Sequence, residues 1–162
     1  MQSLSEAIPL YAELSIALAG FTGVSAAYAG RERTFRPTEL TRLQGVLGTS
    51  AAVLSGCLAF YSTKGLELTE QASQSVVSLV SLLVTIYLLA VVIPLAWRSQ
   101  GDADSTAGTG ALAMVTTVMS GVACAYVLVA IGWVGPGLIL VAFSVQLLLG
   151  LWMFIRLLTR PN

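Results

Sequence analysis

The side chains able to do chemistry in this sequence are few, and most of them sit inside long apolar stretches. Glu13, in LYAELSIALAG, is the one carboxylate clearly within such a stretch. A carboxylate inside a membrane is costly and is by default a cation, proton or partner site. Near the outer end of a span it has a second reading, in which it reaches headgroups and water and is favoured by the helix N-terminus. Gln71, Gln74, Ser78, Ser81 and Thr85 fall at i, i+3, i+7, i+10 and i+14, so on a helix they share one face among Leu and Val. These groups either bond to their own helix and a neighbouring one, or line a water-filled path in which hydroxyls replace hydration waters. Gln146, in the middle of the last apolar stretch, is correspondingly an interhelical hydrogen-bonding group or a ligand.

The missing residue types exclude whole classes of activity. The chain has no His, which removes imidazole proton relays, His-ligated haem and most zinc chemistry. Its single lysine, Lys64, lies outside the expected spans, so no Schiff base forms within the membrane. Neither a phosphate-binding Gly-rich loop nor a nucleophile paired with a base is present. The expectation is therefore a protein that is not an enzyme and carries no cofactor and no metal. Cys57 and Cys124 both fall in apolar helices and read as small packing residues. Net charge is zero and no basic run occurs, so a nucleic-acid partner is not expected.

The elements that must position these groups are membrane-spanning helices. Of the 162 residues, 56% are hydrophobic and 10% charged, against about a quarter charged in soluble domains. Each crossing needs roughly 20 apolar residues, so five crossings with short connections account for the whole length. The expected fold is all-α, a single polytopic transmembrane bundle with spans at about 8–29, 40–61, 75–97, 111–133 and 138–158. The alternative is four spans with the N-terminal segment lying in the interface. Pro37 suits the first turn of the second span, and Glu39 complements that helix start. Pro94 is placed to bend the third span near its end. SQGDADSTAGTG reads as a loop, and Gly135, Pro136 and Gly137 break the final apolar stretch into two spans. The N-terminus, MQSLSEAIPLYAELS, has no basic residue, so the first apolar segment is expected to be retained.

Arg31, Arg33, Arg36 and Arg42 fall on one side of this topology with Arg98, Arg156 and Arg160, leaving Lys64 alone on the other. That split predicts a cytoplasmic C-terminus and an outside N-terminus. Trp97, Trp133, Tyr11 and Tyr61 fall near span ends, where amphipathic rings favour the interface.

Small residues set the expected packing. Ser15, Ala19, Gly23 and Ala27 recur every four residues in the first span, and Gly48, Ala52 and Gly56 do so in the second. Such ridges let helix backbones approach closely in lipid. They predict a tight antiparallel hairpin of spans one and two, or a contact with another subunit. A short pattern recurs as Thr22-Gly23-Ala26-Tyr28, Ser55-Gly56-Ala59-Tyr61 and Ser120-Gly121-Cys124-Tyr126. FTGVSAAY and MSGVACAY agree furthest, as an inverted repeat or by chance in a small apolar alphabet.

AGFTGVSAAYAGRER, followed by ELTRLQGVLGTSAAVLSG, resembles uncharacterised small multi-pass proteins of bacterial inner membranes over about the first 60 residues. The resemblance implies that setting and carries no activity. The functional expectation is a homo-oligomeric channel for ions or small solutes, in contact with membrane lipid, whose path is drawn from Glu13, Gln74, Ser78, Ser81, Thr85 and Gln146. The alternative is a non-transporting scaffold or accessory subunit whose partner meets the basic loop around Arg31 to Arg42.

Overall fold

A computed structural model describes residues 4–32, 37–100 and 106–159. Among these residues all regular structure is helical: α1 (Leu4–Glu32), α2 (Pro37–Gly65), α3 (Glu70–Tyr87), a π-helical turn (Leu88–Val92), α4 (Ile93–Gln100), α5 (Thr106–Ala130) and α6 (Gly137–Leu158). With α3, the π turn and α4 continuous, five helices are long and apolar enough to cross a membrane. Arg33, Arg36 and Arg160 lie outside the described residues, as does the centre of the loop between α4 and α5.

The helices are longer at several ends than apolar content alone marks out. α1 begins at Leu4 rather than Ile8, and the third span begins at Glu70 rather than Ser75. Polar residues flanking an apolar run still satisfy their backbone groups best by continuing the helix. Thr69 sets the start of α3 by accepting a hydrogen bond from the Ala72 amide at 3.4 Å.

α5 ends earlier than expected, at Ala130 rather than Trp133. Gly132 takes the left-handed conformation, with φ of 77°. The Trp133 amide donates to the Leu128 carbonyl and the Gly132 amide to Val129, both at 3.0 Å. This is a Schellman stop, for which glycine has no Cβ penalty. Gly135 and Gly137 were expected to supply the turn's freedom, but Gly132 is the glycine with positive φ among the described residues. Pro136 instead occupies the position before α6.

The α2 to α3 turn uses the same stop with a less suitable residue. Leu68 donates to Thr63 at 3.3 Å and Glu67 to Lys64 at 3.2 Å, while Glu67, exposed, has φ of 52°. A left-handed L residue costs roughly 1–2 kcal/mol, partly offset in a glycine variant by the greater freedom of its unfolded chain. Glu67→Gly is therefore expected to stabilise the protein by about 0.5–1 kcal/mol, measurable by reversible unfolding in mixed micelles.

Pro94 lies in the first turn of α4, immediately after the π turn. Its ring cannot donate a hydrogen bond and crowds the carbonyl four residues before it. The wider turn relieves that crowding, and Ile93 donates to Leu88, five residues back, in place of the usual four.

α2, α3, α5 and α6 form an antiparallel four-helix bundle in that ring order, with α2 also crossing to α6. α1 lies in the outer groove between α2 and α6. Its register is fixed by Cys57 against the Ile8 carbonyl, Tyr11 against Ser144 at 2.6 Å and Leu18 beside Gly150. These contacts make α1 antiparallel to α2 and parallel to α6, a fifth member of the bundle. It is also the least embedded of the five.

Spans one and two are antiparallel neighbours, as expected, but their ridges do not face each other. Gly48 approaches Leu88, and Gly56 approaches Ser81 and Phe143, so the α2 ridge serves the third and fifth spans. On α1, Ser15 is buried and Ala19 half-buried, while Gly23 and Ala27 are exposed. A four-residue step advances about 400° around a helix, so the ridge drifts some 40° per step out of the bundle.

Candidate functional site

The polar stripe on the third span turns inward. Ser78, Ser81 and Thr85 are fully buried, Gln74 is half-buried, and Gln71 is exposed at the helix end. Across from them, α5 contributes Tyr126 and α6 contributes Gln146, both fully buried.

These residues form a directed relay across three helices. The Tyr126 hydroxyl donates to Gln146 Oε1 at 2.9 Å. Gln146 Nε2 donates to Thr85 Oγ1 at 3.0 Å. Thr85 Oγ1 then donates to the Ser81 carbonyl of its own helix at 2.8 Å. Each group is buried away from water, where an unmade hydrogen bond is expensive, so the relay fixes the mutual rotation of α3, α5 and α6. The structure thus brings Thr85 and Gln146 into contact and sets Ser78 and Ser81 on the same inner face. Among the described residues the buried hydroxyls of Ser50 and Ser78 have no hydrogen-bond partner.

The packing around the relay leaves little clearance. A Cβ built on Gly56 would stand 2.4 Å from Ser81 Oγ and 2.6 Å from Phe143 Cζ. Phe143 is itself held edge-on between Tyr11 and Tyr126, at centroid distances of 5.8 and 6.2 Å. Gly150 is equally close to Thr49, whose Oγ1 would be 2.6 Å from an added Cβ.

Glu13 lies on the opposite side of the arrangement. It is exposed on the face of α1 turned away from the bundle, so it does not share a surface with Ser78, Ser81, Thr85 or Gln146. Because α1 begins at Leu4, Glu13 lies about 12 Å along the helix from Ser5. That is about 5 Å short of the midpoint of the Ser5–Tyr28 span. Its seven-residue successors Gly20 and Ala27 are exposed on the same side. An added Cβ at Gly20 or Gly23 meets nothing within 4 Å.

The recurring hydroxyl-Gly-Tyr pattern has no common role. Tyr126 is fully buried in the relay, whereas Tyr28 and Tyr61 are 71% and 50% exposed. Gly56 is at a close helix contact, whereas Gly23 and Gly121 are open. Of the aromatic residues expected at interfaces, Trp97, Trp133 and Tyr61 are exposed. Tyr11 is instead half-buried against the bundle, bonded to Ser144. Of the arginines expected in the basic loop, Arg31 lies in the last turn of α1 and Arg42 within α2, because both helices run on past their apolar stretches; Arg42 reaches the Arg156 carbonyl at the end of α6, at 3.3 Å.

Sequence reasoning missed Tyr126 as the third member of the relay, along with the close approaches of Gly45 to Met153 and of Gly150 to Thr49. Comparison with protein-family models, with curated proteins and with solved structures finds no match.

Proposed function

We propose that the protein assembles with copies of itself through the outward face of α1, in a bacterial inner membrane, and that Glu13 lines a narrow cation path between the subunits. The observation that carries this reading is Glu13 itself, an exposed carboxylate well inside the first span, on a face that also bears Gly20, Gly23 and Ala27. Facing lipid, such a carboxylate costs about 2.5–3.5 kcal/mol near the helix centre. Subunits meeting around it replace lipid with protein and water, and glycines allow the close approach that drives helix association in lipid. The interior of one bundle is a poor route, because Gly56, Ser81 and Phe143 are in tight contact and the relay closes the space beside them.

In this reading Ser78, Ser81, Thr85 and Gln146 hold the subunit rigid, and the path is left to α1. The one-sided distribution of arginines supports an outside N-terminus, which puts Glu13 in the outer half of the membrane.

The test pairs particle imaging in lipid with flux into proteoliposomes. The expected result is a particle of several subunits with α1 at its axis, and a cation-over-anion preference that falls about tenfold in Glu13→Gln. A single-copy particle without flux overturns the proposal and leaves the scaffold reading. Unchanged selectivity in the variant removes Glu13 from the path.

A further inference from the structure

The second feature that points to a ligand is at the opposite end of the molecule, where α2 begins and α6 ends. Arg42 and Arg156 come together there from different helices. The Arg156 guanidinium lies over the Trp152 ring, 4.7 Å from its centroid. Arg42 Nη1 reaches the Arg156 carbonyl at 3.3 Å.

Helix geometry explains why they converge. Side chains lean toward the N-terminus of their own helix. Arg156, in the last turn of α6, therefore leans back toward the membrane and settles on Trp152. Arg42, near the start of α2, leans outward and reaches the end of α6. Arg42 thus meets α6 at Arg156, four residues beyond the Trp152 ring on which the Arg156 guanidinium rests. Glu39, one turn before Arg42, is buried and has its own interactions. Counting Glu39, Arg42 and Arg156 together still leaves one net positive charge, with Arg156 exposed.

We infer that Arg156, with Arg42 beside it, binds a phosphate group, and that the phosphate is carried by an anionic membrane lipid. Arg156 supplies a planar donor fork already oriented by its stacking on Trp152, which suits two phosphate oxygens. Arg42, which like Glu39 has further interactions of its own, brings a second guanidinium to the end of α6. The half-buried Trp152 and Met153, the latter against Gly45, offer apolar surface below the phosphate for the glycerol and upper acyl chain. A free phosphate ion has the same oxygen chemistry but makes no use of that apolar surface.

Native mass spectrometry of the full chain, released from micelles doped with phosphatidylglycerol or phosphatidylcholine, tests the assignment. The wild type is expected to retain phosphatidylglycerol preferentially. Arg156→Gln should lower that preference about fivefold, the effect of one basic residue near the surface. Arg98→Gln, an exposed arginine on the same side of the membrane but on α4, should leave it unchanged. Equal retention of the two lipids, or a preference indifferent to Arg156→Gln, overturns the inference. An equal loss in Arg98→Gln also overturns it, because the attraction is then a diffuse surface charge. Competition by millimolar inorganic phosphate, with no dependence on the acyl chains, assigns the two arginines to a soluble anion and overturns the lipid.

Discussion

Replacing Gly56 by leucine is expected to abolish folding of the protein, and replacing it by alanine to cost about 1–3 kcal/mol. The alanine Cβ alone meets Ser81 Oγ and Phe143 Cζ at 2.4 and 2.6 Å. The serine hydroxyl can rotate aside. The phenyl ring has nowhere to go, since Tyr11 and Tyr126 hold it from both sides, so the relief must come from α2 moving away from α3 and α6. That movement loosens the helix pairs on which the bundle depends, in a solvent that gives no hydrophobic reward for association. Leucine adds three more carbons in the same direction. Reversible unfolding in mixed micelles measures the alanine loss, and gel-filtration monodispersity reports the leucine failure.

A comparison with the other ridge makes this result specific. Gly23 has the same small-residue spacing, but an added Cβ there meets nothing within 4 Å. Gly23→Leu should leave the stability of one subunit near its original value. If Gly56→Ala and Gly23→Ala cost the same, the assignment of the α2 ridge to packing within the subunit is wrong.

What could be read from the sequence, and what could not, follows from how each signal is carried. The number of spans is written in long apolar runs and their breaks, so Pro37 and the Gly-Pro-Gly segment located the helices. The exact stop of α5 was obscured because Gly132 is a single glycine beside the more conspicuous Gly135, Pro136 and Gly137, though Trp133 after it is the apolar neighbour a Schellman stop favours. The stop of α2 had no composition signal, because a glutamate holds the left-handed position.

The polar stripe illustrates a deeper limit. Helical spacing establishes that Ser78, Ser81 and Thr85 share a face, yet an interior network and the wall of a path require the same spacing. Which one is present depends on what the facing helices contribute, and Tyr126 and Gln146 are distant in the chain. A buried tyrosine needs a partner for its hydroxyl, and that need was the available clue to Tyr126. Gly45 and Gly150 offered a similar clue, since glycine inside a helix weakens it unless close packing requires the space. Glu13 was legible as a residue but not as a direction, because the face of α1 it occupies is decided by Ser15, Thr22 and Ile8 turning inward.

Gln146→Leu is the variant that separates the two readings of the stripe. Leucine is close to glutamine in size, so the core stays filled, but both hydrogen bonds to α3 and α5 are lost. Interhelical hydrogen bonds in membranes average about 0.6 kcal/mol and reach roughly 1.7. With two lost and the Tyr126 hydroxyl left buried without its acceptor, the expected cost is about 1–3 kcal/mol. Tyr126→Phe removes one bond and should cost about half as much. In the double variant no phenol is left stranded, so the combined loss should fall short of the sum by about 0.5 kcal/mol or more. Additive losses mean that Tyr126 and Gln146 are not coupled. The same variant has an expected consequence for transport. If the stripe lined the path, removing its amide would alter which solutes pass. If it braces the subunit, as its burial and directed hydrogen bonds favour, and the path proposed along α1 carries the flux, flux per folded particle and its selectivity remain those of the wild type in Gln146→Leu and change in Glu13→Gln.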